Sequence, residues 1–95
     1  MKTIYKYTLE ATEHQVIEMP KNAEILHIDV QHGKPCLWAL VDTGLDKEKR
    51  AFYTFATGQD INGDLGTINH IGTYQLQGGA YVFHVFVIMN WEDII

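Results

Sequence analysis

The sequence predicts an all-β protein of about seven antiparallel strands, arranged as a sandwich or a partly open barrel. Apolar and polar side chains alternate with a period of two through most of the chain, which is typical of strands with one buried face. Turn-forming residues separate these stretches at spacings of roughly ten residues. The chain of 95 residues is 46% hydrophobic and 20% charged, so we expect a single β domain over residues 1–88 with a core of its own.

The first half of the chain contains four predicted strands. Residues 3–9 and 14–19 alternate, and the four residues between them suit a hairpin loop, so we expect these two strands to pair. Residues 24–30 are rich in β-branched side chains and end at a turn in which Gly33 can adopt a positive φ. Residues 35–42 follow, and their proline is tolerable because it begins the strand.

Three further strands are predicted in the second half. Residues 43–49 indicate a solvated loop with at most a helical turn, and an aromatic strand follows at 50–56. The strand at 68–75 is expected to bend at Gly72. Residues 81–88 are apolar on both faces, which favours a central position in a sheet.

Charge and composition argue against several classes of partner and compartment. Seven basic residues against twelve acidic ones give a net charge of −5, without the basic stripe that duplex nucleic acid requires. The longest apolar run, 80–89, is about half of the ~20 residues in a membrane-spanning helix, so no membrane segment is expected. The single Cys36 has no disulfide partner and no signal peptide is evident, which together favour the cytoplasm.

Neither catalysis nor a resident metal or cofactor is expected. The chain has no serine, and Cys36 lies in an apolar run whose closest basic neighbour is Lys34, although a pairing with His84 across strands stays open. The five histidines do not show the tight spacing of zinc ligands. They are His14, His27, His32, His70 and His84.

Residues 60–64 resemble the opening of a calcium-binding loop, with acidic or amide side chains at alternate positions. The later positions that need glycine and glutamate hold Leu65 and Ile71. We therefore expect a turn in which side chains such as that of Asp64 accept hydrogen bonds from the nearby backbone.

The candidates for a ligand site combine aromatic rings, a histidine and Thr-Gly segments. Aromatic rings can stack on a base, and backbone N–H groups of glycine-containing loops can bind anions. His84 has two interpretations, a hydrogen-bonded core residue or a pocket residue, and Trp38 is expected to be core unless it lines that pocket. The candidate set is Trp38, Tyr53, Thr57, Gly58, Gly72, Thr73 and His84, with Lys2, Lys6, Lys34 and Arg50 as the available cations.

Residues 89–95 form an apolar tail after the last predicted strand. Trp91, Ile94 and Ile95 are expected to form an interface, either with the protein's own sheet or with a second subunit. The sequence does not decide between these two docking partners, and the second of them would make the protein a homo-oligomer.

Several short segments together resemble a known family. They are Ile4-Tyr5-Lys6-Tyr7, Ile17-Glu18-Met19-Pro20, Ile25-Leu26-His27, residues 35–42, Thr57-Gly58, Gly72-Thr73 and residues 82–86. Over about residues 1–88 the chain is similar to short uncharacterised proteins encoded by bacteriophages and prophages. The resemblance implies a phage protein inside a bacterial cell, and it carries over no activity and no functional residues.

The function expected from this setting is non-catalytic binding. The protein would block a host protein or sequester a small signalling nucleotide, and so counter a host defence. Its partner would then be a host protein or a small anionic ligand. The alternative is a minor virion or assembly component that acts through protein contacts.

Overall fold

The computed structural model describes residues 1–89 as seven strands with one 3-10 turn. All strand pairs are antiparallel and lie in two sheets that do not close into a barrel within this range, so the predicted all-β class is confirmed. The strands are β1 Lys2–Thr8, β2 His14–Pro20, β3 Glu24–Gln31, β4 Lys34–Asp42, β5 Lys47–Ala56, β6 Ile68–Leu76 and β7 Tyr81–Ile88, with the 3-10 turn at Gln77–Gly79.

The seven strands form a three-stranded sheet of order β1-β4-β3 and a four-stranded sheet of order β2-β5-β7-β6. The predicted hairpin of the first two strands is wrong, because β1 pairs with β4 and β2 pairs with β5. The Leu9 N–H donates to the Pro35 carbonyl at 2.9 Å and so extends the β1–β4 ladder. Four residues later, the Glu13 carbonyl accepts from Thr54 N–H at 2.8 Å, which attaches the chain to the other sheet.

The core lies between the two sheets and follows the two-residue period. From β4 it takes Leu37, Ala39 and Val41, and across from them lie Phe52 of β5 and Val85 of β7. Each of these side chains is at most 1% exposed. Burial of one large apolar side chain stabilises a fold by about 1.5–3 kcal/mol, so this layer holds the two sheets together. β7 is an interior strand of its sheet, as its apolar sequence predicted.

The sheets approach each other most closely where β3 packs against β6. The β6 register shifts between His70 and Gly72, which is the bend expected at this glycine. A Cβ atom on Gly72 would lie 2.8 Å from the Ile28 Cβ. Gly72 therefore allows contact between the strands, and the sandwich is tight on this side.

The loop before β5 is shorter than predicted. The expected loop 43–49 ends early because Lys47 and Glu48 pair with Pro20 and Met19 of β2. In place of a helical turn, β5 therefore begins at Lys47. Across residues 1–89, no helix has the length and apolarity needed to cross a bilayer.

Candidate functional site

The outward side of the four-stranded sheet carries a group of aromatic, imidazole and hydroxyl side chains. Residues directly opposite each other in a sheet share a face. Tyr53 of β5 lies opposite Phe86, and Phe55 lies opposite His84, while the alternate residues Phe52 and Thr54 point inward. We call this surface the histidine face, and it comprises His14, Val16, Tyr53, Phe55, Thr57, His70, Thr73, His84 and Phe86.

His84 is held at both ring nitrogens by threonine hydroxyls. Its Nε2 lies 2.7 Å from the Thr57 Oγ1, and its Nδ1 lies 3.2 Å from the Thr73 Oγ1. The same Thr73 oxygen lies 3.0 Å from the Nε2 of His70, which continues the hydrogen-bonded chain to β6. Because a hydroxyl can donate or accept, this arrangement accommodates either tautomer of the imidazole and fixes the orientation of its ring.

The core interpretation of His84 is therefore wrong. The ring is half-buried on the outer face, whereas its neighbour Val85 points into the core. The two-residue period assigns opposite faces to these neighbours, but a strand that is apolar on both faces does not reveal which face is inner.

Aromatic contacts extend across all four strands of the histidine face. Tyr53 stacks on Phe55 with centroids 5.5 Å apart, and Phe55 lies 6.1 Å from Phe86. His14 of β2 meets Tyr53 edge-on at 5.5 Å, and His70 of β6 meets Phe86 edge-on at 5.3 Å. Each aromatic pair of this kind stabilises the fold by about 0.5–1.5 kcal/mol beyond the burial of its apolar area. The contacts therefore hold the rings in fixed positions on the sheet.

The structure brings together four of the seven predicted ligand residues. Tyr53, Thr57, Thr73 and His84 lie on the histidine face, and Gly58 adjoins it in a turn with φ of +83°. The Thr57 N–H donates to the Val82 carbonyl at 3.0 Å and is not free for an anion.

The other two described candidates lie elsewhere. Gly72 faces inward against Ile28 and contributes nothing to the outer surface. Trp38 was expected in the core, but it is half-buried on the outward side of the other sheet, 6.0 Å from the His27 ring. Trp91, Ile94 and Ile95 lie outside the described residues.

Sequence reasoning missed four ring residues of the histidine face. Phe55 could have been found, because it lies two residues from Tyr53 on one strand and alternate residues of a strand share a face. His70 could not, because the irregularity between His70 and Gly72 breaks the alternation on β6. The missed residues are His14, Phe55, His70 and Phe86.

The Cys36 thiol lies away from this face. Cys36 is 2% exposed and lies on β4 of the other sheet, its thiol 3.5 Å from the Lys34 carbonyl, so the pairing with His84 that the sequence left open does not form. No three His, Cys, Asp or Glu side chains of residues 1–89 cluster closely enough to hold a metal. The Asp64 carboxylate accepts the Gly66 N–H at 2.8 Å, which is the turn geometry predicted for this segment.

The resolved pKa shifts also belong to other parts of the molecule. The Gly44 backbone N–H, followed by the N-terminal amine, lowers the pKa of the Asp42 carboxyl. Burial raises the pKa of the Tyr74 phenol, and burial together with the nearby Tyr5 raises the pKa of Tyr7. Each of these shifts has a structural cause in burial or in a hydrogen bond.

Two cavities lie away from the histidine face. The larger, of about 290 Å³, lies between Lys2, Lys21, Glu24 and Asp42, where positive and negative groups balance. The smaller, of about 130 Å³, lies where the segment joining β1 to β2 covers the inward side chains of Tyr74 and Phe83.

These features define an all-β, two-sheet domain with an aromatic outer face. The chain belongs to the family described as domain of unknown function DUF7352, whose profile matches residues 1–92. No curated protein and no solved structure matches the chain.

Proposed function

We propose that this protein is a non-catalytic binding protein, encoded by a phage, that blocks a bacterial host protein through the histidine face. The observation that carries the proposal is the row of rings from His14 to His70, fixed across four strands. Aromatic side chains held rigidly on a surface lose little conformational entropy on binding, and they are enriched at the centres of protein interfaces.

The shape of this surface favours a protein partner over a nucleotide. Small molecules bind in concave pockets of roughly 300–1,000 Å³, whereas the two cavities described above lie away from the histidine face. The larger cavity has two lysines, but Glu24 and Asp42 offset them. Of the other cations, Arg50 pairs with Glu48 at 3.2 Å and Lys6 donates to Gln31 at 2.7 Å.

The biological setting of the proposal comes from the resemblance to phage and prophage proteins. A phage protein expressed in an infected cell meets host proteins in the cytoplasm, where blocking one of them can serve counter-defence. The half-buried rings and the exposed His14, His70 and Thr73 offer both apolar contact and hydrogen bonding to such a partner.

The alternative role is that of a minor virion or assembly component. It is supported by β1, an edge strand whose Ile4 and Tyr5 are 56% and 41% exposed. An exposed edge can add to a sheet of another subunit.

The proposal is tested by native mass spectrometry of the tagged protein recovered from phage-susceptible bacteria. We compare the wild type with Val16→Lys, which places a charge beside His14, and with Leu45→Lys as the control. These two apolar residues are 42% and 41% exposed, and only Val16 lies on the histidine face. We expect one stoichiometric host protein that is lost with Val16→Lys and kept with Leu45→Lys. A retained nucleotide, or self-assembly alone, would overturn the proposal.

A further inference from the structure

We propose that a second copy of this chain docks on the outward side of the three-stranded sheet, giving a two-fold symmetric dimer. We call this surface the tryptophan face. It comprises Lys2, Ile4 and Lys6 of β1, Trp38, Leu40 and Asp42 of β4, and Glu24, Leu26, His27 and Asp29 of β3.

The centre of the tryptophan face is apolar and exposed. Ile4 and Leu40 are directly opposite each other, and Lys6, Trp38 and His27 form the next row across the three strands. The β3 register shifts between Ile25 and His27, and Leu26 lies at this irregularity, 47% exposed. With Ile4 at 56% exposed, two large apolar side chains flank Trp38 and Leu40.

The two margins of this face carry opposite charges. On the β1 side are Lys2 and Lys6, and on the β3 side are Glu24 and Asp29. Asp42 of the central strand lies opposite Lys2, and the N-terminal amine 3.2 Å from its carboxylate offsets its charge. A two-fold axis parallel to β4 places the basic margin of each copy over the acidic margin of the other, with the apolar centres in contact. The same patch then serves both subunits, as an isologous interface requires. This self-complementarity identifies the occupant as a second copy.

Lys6 and Asp29 already have partners within the subunit that they would exchange on docking. The Lys6 ammonium donates to Gln31 at 2.7 Å, and the His27 ring lies 3.5 Å from the Asp29 carboxylate. Both side chains of the second pair are 65% exposed, so solvent weakens it and the exchange costs little.

The size of the face sets the strength of the dimer. Three strands about 4.8 Å apart, with eight residues rising about 3.3 Å each, give a patch of roughly 14 by 26 Å. A patch of this size belongs with small, transient interfaces. We therefore expect a monomer–dimer equilibrium that depends on protein concentration.

Sedimentation equilibrium tests the dimer between about 1 μM and 1 mM, the range of weak dissociation constants. We expect Ile4→Lys to raise the dimer dissociation constant at least about tenfold, because it puts a charge in the apolar centre. Val16→Lys changes an exposed apolar residue on the opposite side of the molecule and should leave the constant unchanged. A wild type that stays monomeric throughout, or an equal response to both variants, overturns the proposal.

Charge reversal provides a second test that does not depend on one variant folding well. Lys6→Glu and Asp29→Lys should each weaken self-association, because like charges then meet at both margins. An equimolar mixture of the two variants should restore dimers, since the reversed pair attracts at one margin and the native pair remains at the other. Failure of the mixture to associate beyond either variant alone contradicts the two-fold arrangement.

The dimer and the proposed host partner use opposite sides of the molecule. Ile4→Lys should weaken the dimer while each monomer still binds the host protein. Val16→Lys should prevent binding of the host protein while the dimer still forms. Loss of one behaviour therefore says nothing against the other.

Discussion

Gly72 of β6 lies against Ile28 of β3 so closely that a Cβ atom has no room between them. That atom would be 2.8 Å from the Ile28 Cβ and 3.2 Å from its Cδ1. Ile28 is 5% exposed and belongs to the core, so it has no space into which it could withdraw. This single contact sets how near the two sheets can come at the β3–β6 side.

Gly72→Ala should lower the free energy of unfolding by about 1–3 kcal/mol, the usual cost of overpacking a core. Urea denaturation followed by tryptophan fluorescence measures the change. Gly44→Ala is the control, because a Cβ there meets only the Asp42 carboxylate at an ordinary 3.4 Å. An Ile28→Ala background should relieve only part of the cost, since the Cβ atom in contact remains. Equal stability of Gly72→Ala and wild type would contradict the close approach.

Thr73→Val should disturb both histidines that share its hydroxyl, whereas Thr57→Val should disturb His84 alone. The Thr73 oxygen contacts the Nδ1 of His84 and the Nε2 of His70, and the Thr57 oxygen contacts only the Nε2 of His84. Each loss should cost about 0.5–1.5 kcal/mol. Long-range ¹H–¹⁵N spectra of the imidazole rings report both effects, with His32 as the internal reference. If Thr73→Val leaves the His70 signals unchanged, the shared hydrogen bond is absent.

Cys36 should react with a thiol reagent only when the protein opens. Its side chain is 2% exposed and lies near the Lys34 carbonyl. The rate with an aromatic disulfide reagent should therefore be slow in buffer and should rise steeply with urea, following the unfolding equilibrium. If the native protein reacts at once, at the rate of a small free thiol, then the Cys36 thiol is accessible to solvent and the burial of its side chain is contradicted.

Stability should fall at alkaline pH because of Tyr74. Burial raises the pKa of its phenol above the ordinary value of about 10, so the folded state favours the neutral form. Above about pH 10 the unfolded chain loses this proton first, and the free energy of unfolding declines as pH rises. Below about pH 10, Tyr74 is neutral in both the folded and the unfolded state, so its full contribution to the free energy of unfolding is retained.

Tyr74→Phe should flatten this decline above about pH 10, when compared by urea denaturation at each pH. Tyr81→Phe is the matched control, because Tyr81 is 52% exposed whereas Tyr74 is 3% exposed. Parallel pH profiles for Tyr74→Phe and wild type would remove Tyr74 as the cause.

Alternation, runs of β-branched and aromatic residues, and the turn residues between them were together sufficient to locate all seven strands. The pairing of strands is a different matter. A connection of four residues can form a hairpin, and it can equally well carry the chain from one sheet to the other. The length of the segment 10–13 therefore does not tell the two arrangements apart.

The inward side of a strand is equally hard to assign when both sides are apolar. Residues 36–41 of β4 have apolar side chains throughout, so nothing in the order of residues indicates that Leu37 and Ala39 face the core while Trp38 faces outward. That assignment depends on how the strands pack, which the local order of residues does not specify. The His84 interpretation failed for the same reason.

The chain alternates between the two sheets before either is complete, and this has a consequence for synthesis on the ribosome. The four-stranded sheet needs β2 from near the start and β7 from near the end, with β7 inserted between β5 and β6. A nascent chain that lacks β7 therefore has no complete histidine face, since His84 and Phe86 arrive with that strand. The proposed host binding should appear only once β7 has emerged, whereas the three-stranded sheet is already complete after β4.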